Sequence, residues 1–139
     1  MEIDTSTEFG ARVEQRLADE RIIWLVTTDR DGAPQPSPVW FIWDGESALM
    51  YSQPNTPKLR NIEANPRVSL HFNSDEYGGD VVILSAEAAV DPGAPPPYDV
   101  PEYIEKYADG LKSISMTPES FSAAYSVPVR LRPTGLRGH

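Results

Sequence analysis

The chain has 139 residues with 12 basic and 21 acidic side chains, and this net charge of −9 argues against nucleic acid or an anionic membrane as a bulk partner. The absence of cysteine excludes disulfides, thiol nucleophiles and thiolate metal sites, and it fits a cytoplasmic protein. No apolar run approaches the ~20 residues of a membrane span, and the acidic, polar start does not resemble a signal peptide. The length predicts a single domain over residues 1–139.

The first predicted element is an amphipathic helix within residues 1–20. Phe9, Val13 and Leu17 recur every four residues, which is the spacing of a buried helical stripe. The β-branched and aromatic run Ile22–Thr28 then predicts the first strand.

The second predicted strand, Gln35–Trp43, contains an unusual proline pattern. Pro34, Pro36 and Pro38 stand at alternate positions. Proline has no N–H and therefore cannot sit in a strand that is paired on both sides. We expect one edge of this strand to be open, either to solvent or to a ligand.

The next elements complete a small antiparallel barrel. Asp44-Gly45 is a strong hairpin signal between the second strand and the apolar run Ala48–Ser52. Alternation or a continuous apolar run predicts three more strands, at Arg67–Asn73, Val81–Val90 and Val127–Arg132. Six short strands without a crossover helix after each one predict a mainly β fold, a six-stranded antiparallel split barrel with flanking helices.

A helical excursion is predicted over residues 98–125. Its first part, Val100–Ile114, has an apolar stripe, and Thr117 with Pro118 has the pattern of a second helix start. The stripe of Val100–Ile114 consists of Tyr103, Ile104, Tyr107 and Leu111.

The tail, residues 133–139, is predicted to be loose.

The segment between the third and fourth strands has the outline of an anion site. Thr56 occupies the N-cap position of a short helix and Pro57 its first position, and the Asn65-Pro66 pair ends it. A hydroxyl, free backbone N–H groups and the Lys58 ammonium would meet at the positive end of the helix dipole. The alternative is a capped surface helix with a solvated lysine, and Asn61 can equally be a ligand contact or a surface residue.

Other candidate groups favour ordinary structural roles. Trp40 and Trp43 lie on opposite faces of the second strand, so at most one of them lines a given pocket. His71 is expected to be a polar outward or interface residue, because no serine or carboxylate is positioned to complete a triad. The histidines and carboxylates show no metal-ligand spacing, so we expect no metal.

The order of these motifs resembles a known superfamily. The strand pair Pro38–Asp44 and Leu49–Ser52, the Thr56-x-Lys58 pattern, and the run Ile62–Leu70 (IEANPRVSL) follow one another. This arrangement is similar to the pyridoxamine 5′-phosphate oxidase-like split β-barrel superfamily, which includes FMN enzymes and deazaflavin (coenzyme F420) oxidoreductases. The resemblance extends over Arg21–Val90 and is looser beyond it.

The resemblance implies which positions hold a cofactor. Members bind its phosphate through hydroxyl and basic residues after the third strand, and the ring lies along the second strand. Carried over position by position, the implied cofactor-binding residues are Ser37, Pro38, Val39, Trp40, Phe41, Tyr51, Ser52, Thr56, Lys58, Arg60, Asn61 and Asp80. No catalytic side chain is implied, because the cofactor carries the chemistry.

Departures from the FMN oxidases favour the deazaflavin branch. Pro36 and Pro57 stand where those enzymes usually have basic residues, and no tryptophan follows Asp91. Pyridoxamine phosphate oxidase activity itself is therefore not expected. The sequence predicts an F420-dependent oxidoreductase that transfers a hydride to a small organic substrate and forms a homodimer with pockets at its subunit interface. The alternatives are an FMN-dependent oxidase or reductase and a non-catalytic flavin- or deazaflavin-binding protein.

Overall fold

The computed structural model describes residues 1–139, with seven strands, five α-helices and a 3-10 turn at Pro97–Asp99. The strands are β1 Ile23–Thr28, β2 Pro34–Val39, β3 Ile42–Trp43, β4 Ala48–Ser52, β5 Arg67–His71, β6 Val82–Val90 and β7 Val127–Gly138. The helices are α1 Glu8–Asp19, α2 Pro57–Ala64, α3 Pro101–Lys106, α4 Ala108–Ser113 and α5 Pro118–Ala124.

The strands form one antiparallel sheet in the order β2-β1-β5-β6-β7-β4-β3. The two edge strands, β2 and β3, are consecutive in the chain and are joined only by Trp40 and Phe41. The sheet must therefore curl until β2 and β3 lie next to each other. The resulting barrel is closed by the two-residue connection between these strands, since no backbone hydrogen-bond ladder joins them. This confirms the mainly β, antiparallel barrel class.

The count of six strands was wrong by one, because the predicted strand Gln35–Trp43 breaks at Trp40-Phe41. At the break, the Phe41 N–H donates to the Tyr107 hydroxyl at 2.8 Å, and the Phe41 carbonyl accepts from the Lys106 ammonium at 3.0 Å. Side chains from α3 and the residue after it thus replace the strand ladder at the seam.

Two further expectations needed correction. The predicted helix Val100–Ile114 is two short helices, α3 and α4, which meet at Tyr107, whose backbone leaves helical geometry (φ −108°, ψ 19°). The tail, residues 133–139, is not loose, because β7 continues to Gly138 in register with β6. The register shifts by one residue between Ser85 and Ala86, where Thr134 is the extra residue of a bulge, and this long-range pairing has no local signal in the sequence.

The core has two parts that share β4. The larger part fills the barrel and contains residues such as Leu25, Met50 and Leu131. The smaller part lies between β4 and the helical excursion and contains Leu49, Tyr51, Tyr103, Tyr107, Leu111 and Phe121. Alternate side chains of β4 enter the two parts, so this strand is buried on both faces.

Helices α2 and α5 begin where the sequence predicted, with Thr56 and Thr117 as their N-caps. Thr7 caps α1 and accepts from the Gly10 N–H, and Val13 and Leu17 are buried against the barrel. Helix α1, with twelve residues, is the longest, and none of the helices has the length and apolar character that crossing a bilayer requires.

Candidate functional site

The N-terminus of α2 carries a compact set of polar groups. The Thr56 side chain accepts from the Leu59 N–H at 3.4 Å and lies 3.1 Å from the Ser52 hydroxyl. Pro57 has no N–H, and the Lys58 N–H has no partner in the chain. Since the first turn contains no acidic residue, the positive end of this helix has no counter-charge of its own.

Lys58 is a half-buried cation without a partner. Its ammonium forms no ion pair and no hydrogen bond with the protein. Burial lowers the pKa of Lys58 below its ordinary value, because the charged form is partly removed from water. A bound anion would offset this desolvation cost, because it would stabilise the charged ammonium.

A cavity of about 360 Å³ opens beside this lysine. That volume falls in the range of about 300–1,000 Å³ found for small-molecule sites. Lys58 is the only charged residue among the thirteen that line it. The others are Pro38, Val39, Trp40, Met50, Tyr51, Ser52, Gln53, Thr56, Tyr103, Ile114, Phe121 and Tyr125.

One wall of the cavity is the end of β2, whose outer edge offers only acceptors. The Asp29 N–H donates to the Ala33 carbonyl at 3.0 Å, and this sets the phase of the β1–β2 ladder. Antiparallel alternation then directs the backbone N–H and C=O groups of Gln35, Ser37 and Val39 towards β1. The backbone carbonyls of Pro34, Pro36 and Pro38 point to the open side. The open edge from Pro34 to Pro38 therefore presents carbonyl oxygens and no N–H, which confirms the expected open edge.

A second wall of the cavity consists of aromatic side chains. Trp40 stacks on Tyr107 at 4.6 Å and on Phe121 at 5.5 Å, and Phe121 stacks on Tyr125 at 4.4 Å. Tyr103 packs edge-on against Tyr51, with ring centroids 5.2 Å apart. This wall is closely stacked and mostly apolar, which suits the face of a planar ring.

The tyrosines of this wall remain protonated. Burial raises the pKa of Tyr51 to about 12, and burial likewise raises the pKa values of Tyr103 and Tyr107. The Tyr51 hydroxyl donates to the Pro95 carbonyl at 2.7 Å, and the Tyr107 hydroxyl contacts the carbonyls of Arg21 at 2.7 Å and Phe41 at 2.9 Å.

The structure brings seven of the twelve predicted cofactor residues to this cavity: Pro38, Val39, Trp40, Tyr51, Ser52, Thr56 and Lys58. Ser37 lies one residue before the cavity wall, and Phe41 is wholly buried in the barrel core. Of the two tryptophans on opposite faces, Trp40 lines the cavity, whereas Trp43 donates to the Glu14 carboxylate at 2.8 Å.

The other three predicted residues have partners elsewhere. Arg60 donates to the Asn55 carbonyl at 2.8 Å, and Asn61 donates to the Thr27 hydroxyl at 3.0 Å. Asp80 forms ion pairs with Arg12 and Arg16 of α1. None of the three lines the cavity.

Six lining residues were absent from the predicted set: Met50, Gln53, Tyr103, Ile114, Phe121 and Tyr125. Met50 and Gln53 flank predicted positions and were within reach of sequence reasoning. The apolar stripe predicted that Tyr103 is buried, but no local pattern indicates which surface a stripe covers. Its placement depends on how the helical excursion folds back on β4.

Comparison with known proteins adds a family match. The family model described as pyridoxamine 5′-phosphate oxidase matches residues 9–124. A pyridoxine/pyridoxamine 5′-phosphate oxidase from Edwardsiella ictaluri (strain 93-146) is 33% identical over 60 residues, which are 42% of this chain and 28% of that enzyme. The matched segment thus spans well under a third of the curated relative.

Solved structures share the fold. The structure of an F420 reductase superposes with a TM-score of 0.66 at 23% identity, covering 89% of this chain and 94% of that one. HutZ, the heme storage protein from Vibrio cholerae, superposes with a TM-score of 0.62 at 19% identity, covering 99% of this chain and 95% of that one. At such identities the likeness concerns the fold alone.

Proposed function

The chain belongs to the pyridoxamine 5′-phosphate oxidase family, and from this premise we propose that its cavity binds the deazaflavin coenzyme F420 and that the protein is an oxidoreductase acting on a small organic substrate. The observation that carries the proposal is Lys58, a half-buried and unpaired ammonium in the lining of an otherwise uncharged cavity. When bound, the deazaflavin ring would supply hydride transfer. The chain's own residues would bind the cofactor, orient its ring and exclude water.

The anchor matches the charge of a phosphodiester. Lys58 is one positive charge, with the Ser52 and Thr56 hydroxyls and one free N–H beside it. A phosphate monoester carries about −1.5 to −2 at pH 7, whereas a diester lacks the second ionisation and carries one negative charge. A single lysine therefore neutralises the phosphodiester of F420 more completely than the phosphate of FMN.

The walls fit a planar ring. The carbonyl edge of β2 can accept hydrogen bonds from a ring N–H, and the aromatic wall around Trp40 and Phe121 can pack on a ring face. Eight of the thirteen lining residues are hydrophobic, which favours the transfer of a ring from water.

An FMN-dependent oxidase or reductase remains the second candidate, because the family match alone supports it. A non-catalytic binding protein is the third, since the shared fold also serves a heme storage protein. The cavity lining supplies no imidazole or thiolate that could hold heme iron, because His71 stacks on Trp24 and His139 lies at the chain end.

A symmetric homodimer with pockets at its subunit interface is part of the proposal. An apolar groove runs between α2 and the end of β6, lined by Leu59, Ile62 and the exposed Val90 among others. A second copy covering this groove would remove apolar surface from water. Sedimentation is expected to give twice the chain mass, and a monomer that binds the cofactor fully would contradict this part.

The experiment is a fluorescence titration of the wild type, Lys58→Ala and Lys112→Ala with F420 and with FMN. Lys112 is the matched control, because it is an exposed lysine outside the cavity. Losing a charge-assisted contact of about 1.5–3 kcal/mol weakens F420 binding roughly 10- to 150-fold in Lys58→Ala. Lys112→Ala is expected to bind like the wild type.

Two results would contradict the proposal. Wild-type protein that binds FMN and has no affinity for F420 would make the FMN-dependent activity the better assignment. Lys58→Ala protein that keeps its F420 affinity within about twofold would remove the anion anchor, since a lost charge-assisted bond costs more than that.

A further inference from the structure

The packing of the protein does not explain why Tyr103 carries a hydroxyl group. Tyr103 is 1% exposed, yet its hydroxyl forms no hydrogen bond with any protein atom. More than 90% of buried polar groups have a partner, and the buried neighbours Tyr51 and Tyr107 both do. A phenylalanine would fill the same space without an unpaired oxygen.

This hydroxyl faces the cavity. No side-chain oxygen that is fully enclosed lacks a partner in this protein, so the Tyr103 oxygen must reach open space. Tyr103 lines the cavity beside Lys58, and the cavity is the open space that it borders. Because burial raises its pKa, the phenol stays protonated near neutral pH and can donate a hydrogen bond.

The β2 edge that also borders the cavity has no hydrogen-bond donor of its own. The open edge of β2 presents only carbonyl oxygens, so it can serve a ring N–H but not a ring oxygen. The Ser52 and Thr56 hydroxyls lie 3.1 Å apart, and they line the cavity together with Lys58 at the start of α2. Among the lining phenols, Tyr51 already donates to Pro95, and Tyr125 is partly exposed.

We propose that the Tyr103 hydroxyl donates a hydrogen bond to a carbonyl oxygen of the bound ring, and so complements the acceptor edge of β2. The pair would recognise a heterocycle in which N–H and C=O stand side by side, a cyclic imide or lactam. This inference rests on the proposed function of the same cavity and assigns Tyr103 a positioning role in ring binding.

The test separates ring binding from phosphate binding. Riboflavin, FMN and F420 are titrated by fluorescence against the wild type, Tyr103→Phe, Lys58→Ala and Tyr98→Phe. Riboflavin carries the ring without the phosphate. Tyr98 is the matched control, because it is 53% exposed and lies outside the cavity.

Tyr103→Phe is expected to weaken all three compounds about three- to tenfold, as the loss of one neutral hydrogen bond does. Lys58→Ala is expected to weaken FMN and F420 while leaving riboflavin within about twofold. Tyr98→Phe is expected to match the wild type. In urea, Tyr103→Phe is expected to unfold at the wild-type midpoint, because no internal bond is lost.

Three results would overturn the inference. If Tyr103→Phe binds all three compounds within about 1.5-fold of the wild type, less than one hydrogen bond would cost, Tyr103 does not contact the ring, although the proposed function stands. If Tyr103→Phe unfolds at clearly lower urea, the hydroxyl has a partner inside the protein. If the wild type binds none of the three compounds, the proposed function fails and this inference fails with it.

Discussion

The seam of the barrel offers a quantitative prediction through Tyr107→Phe. The Tyr107 hydroxyl accepts from the Phe41 N–H at 2.8 Å and donates towards the Arg21 carbonyl at 2.7 Å. Phe41 is wholly buried, so no solvent water can accept a hydrogen bond from its N–H when the hydroxyl is removed. The Phe41 carbonyl keeps its bond from Lys106.

The expected cost follows from these partners. A buried N–H left without an acceptor costs about 1–3 kcal/mol, and the lost, partly buried bond to the Arg21 carbonyl adds roughly 0.5–1 kcal/mol. The two contributions span about 1.5–4 kcal/mol, and we expect Tyr107→Phe to lower the free energy of unfolding by about 2–3 kcal/mol, the middle of that range. For a chain of this length that corresponds to a fall of about 7–10 °C in Tm.

The assay is urea unfolding followed by tryptophan fluorescence, with Tyr103→Phe as the matched control. Both variants lose one buried phenolic oxygen from the same apolar cluster, but only Tyr107 has partners to lose. Tyr103→Phe is expected to lie within about 0.5 kcal/mol of the wild type, at the same m-value. A difference of less than about 0.5 kcal/mol between the two variants would refute the role of Tyr107 at the seam.

Two further predictions concern the same region. Burial lowers the pKa of Lys106 to about 8 from the 10.5 of an unfolded lysine, so the unfolded state binds more protons above pH 8. Stability should therefore rise from about pH 8 towards the 10.5 of the unfolded lysine, and Lys106→Met should reduce the rise in urea midpoints, leaving the smaller contribution of Lys58; a flat wild-type profile would contradict it. In Gly110→Ala, the new Cβ would lie 2.9 Å from Cζ2 of Trp40, and this overlap, at about 1–3 kcal/mol, outweighs the gain of about 1 kcal/mol in helix propensity. The variant should unfold at lower urea and bind ring compounds more weakly as Trp40 is displaced, whereas higher stability with unchanged affinity would contradict this reasoning.

Local sequence chemistry accounts for the anchor half of the candidate site. Thr56, Pro57 and Lys58 are neighbours in the chain, and capping depends on contacts between residues three positions apart or fewer. The alternate prolines of β2 likewise predicted an open edge, because a missing N–H excludes ladder pairing wherever the strand lies. These features follow from short-range rules, so the local sequence predicts them without reference to tertiary contacts.

Long-range contacts decided the rest. Arg12 of α1 reaches Asp80 across 68 positions, and Tyr107 reaches Phe41 across 66. No local periodicity predicts such pairs, because a stripe indicates that a helix face is buried but not what it is buried against. The break at Phe41 and the strand over residues 133–138 have the same origin.

The sequence alone determined the strand alternation, the capped helix after β4 and the single lysine beside its start, since each depends on neighbouring residues. Only the tertiary structure decided that Tyr103, Phe121 and Tyr125 form the wall facing that lysine, and that Asp80 pairs with α1 instead. The reason is that the helical excursion contributes to the cavity only after it folds back across β4 and closes the seam at Phe41.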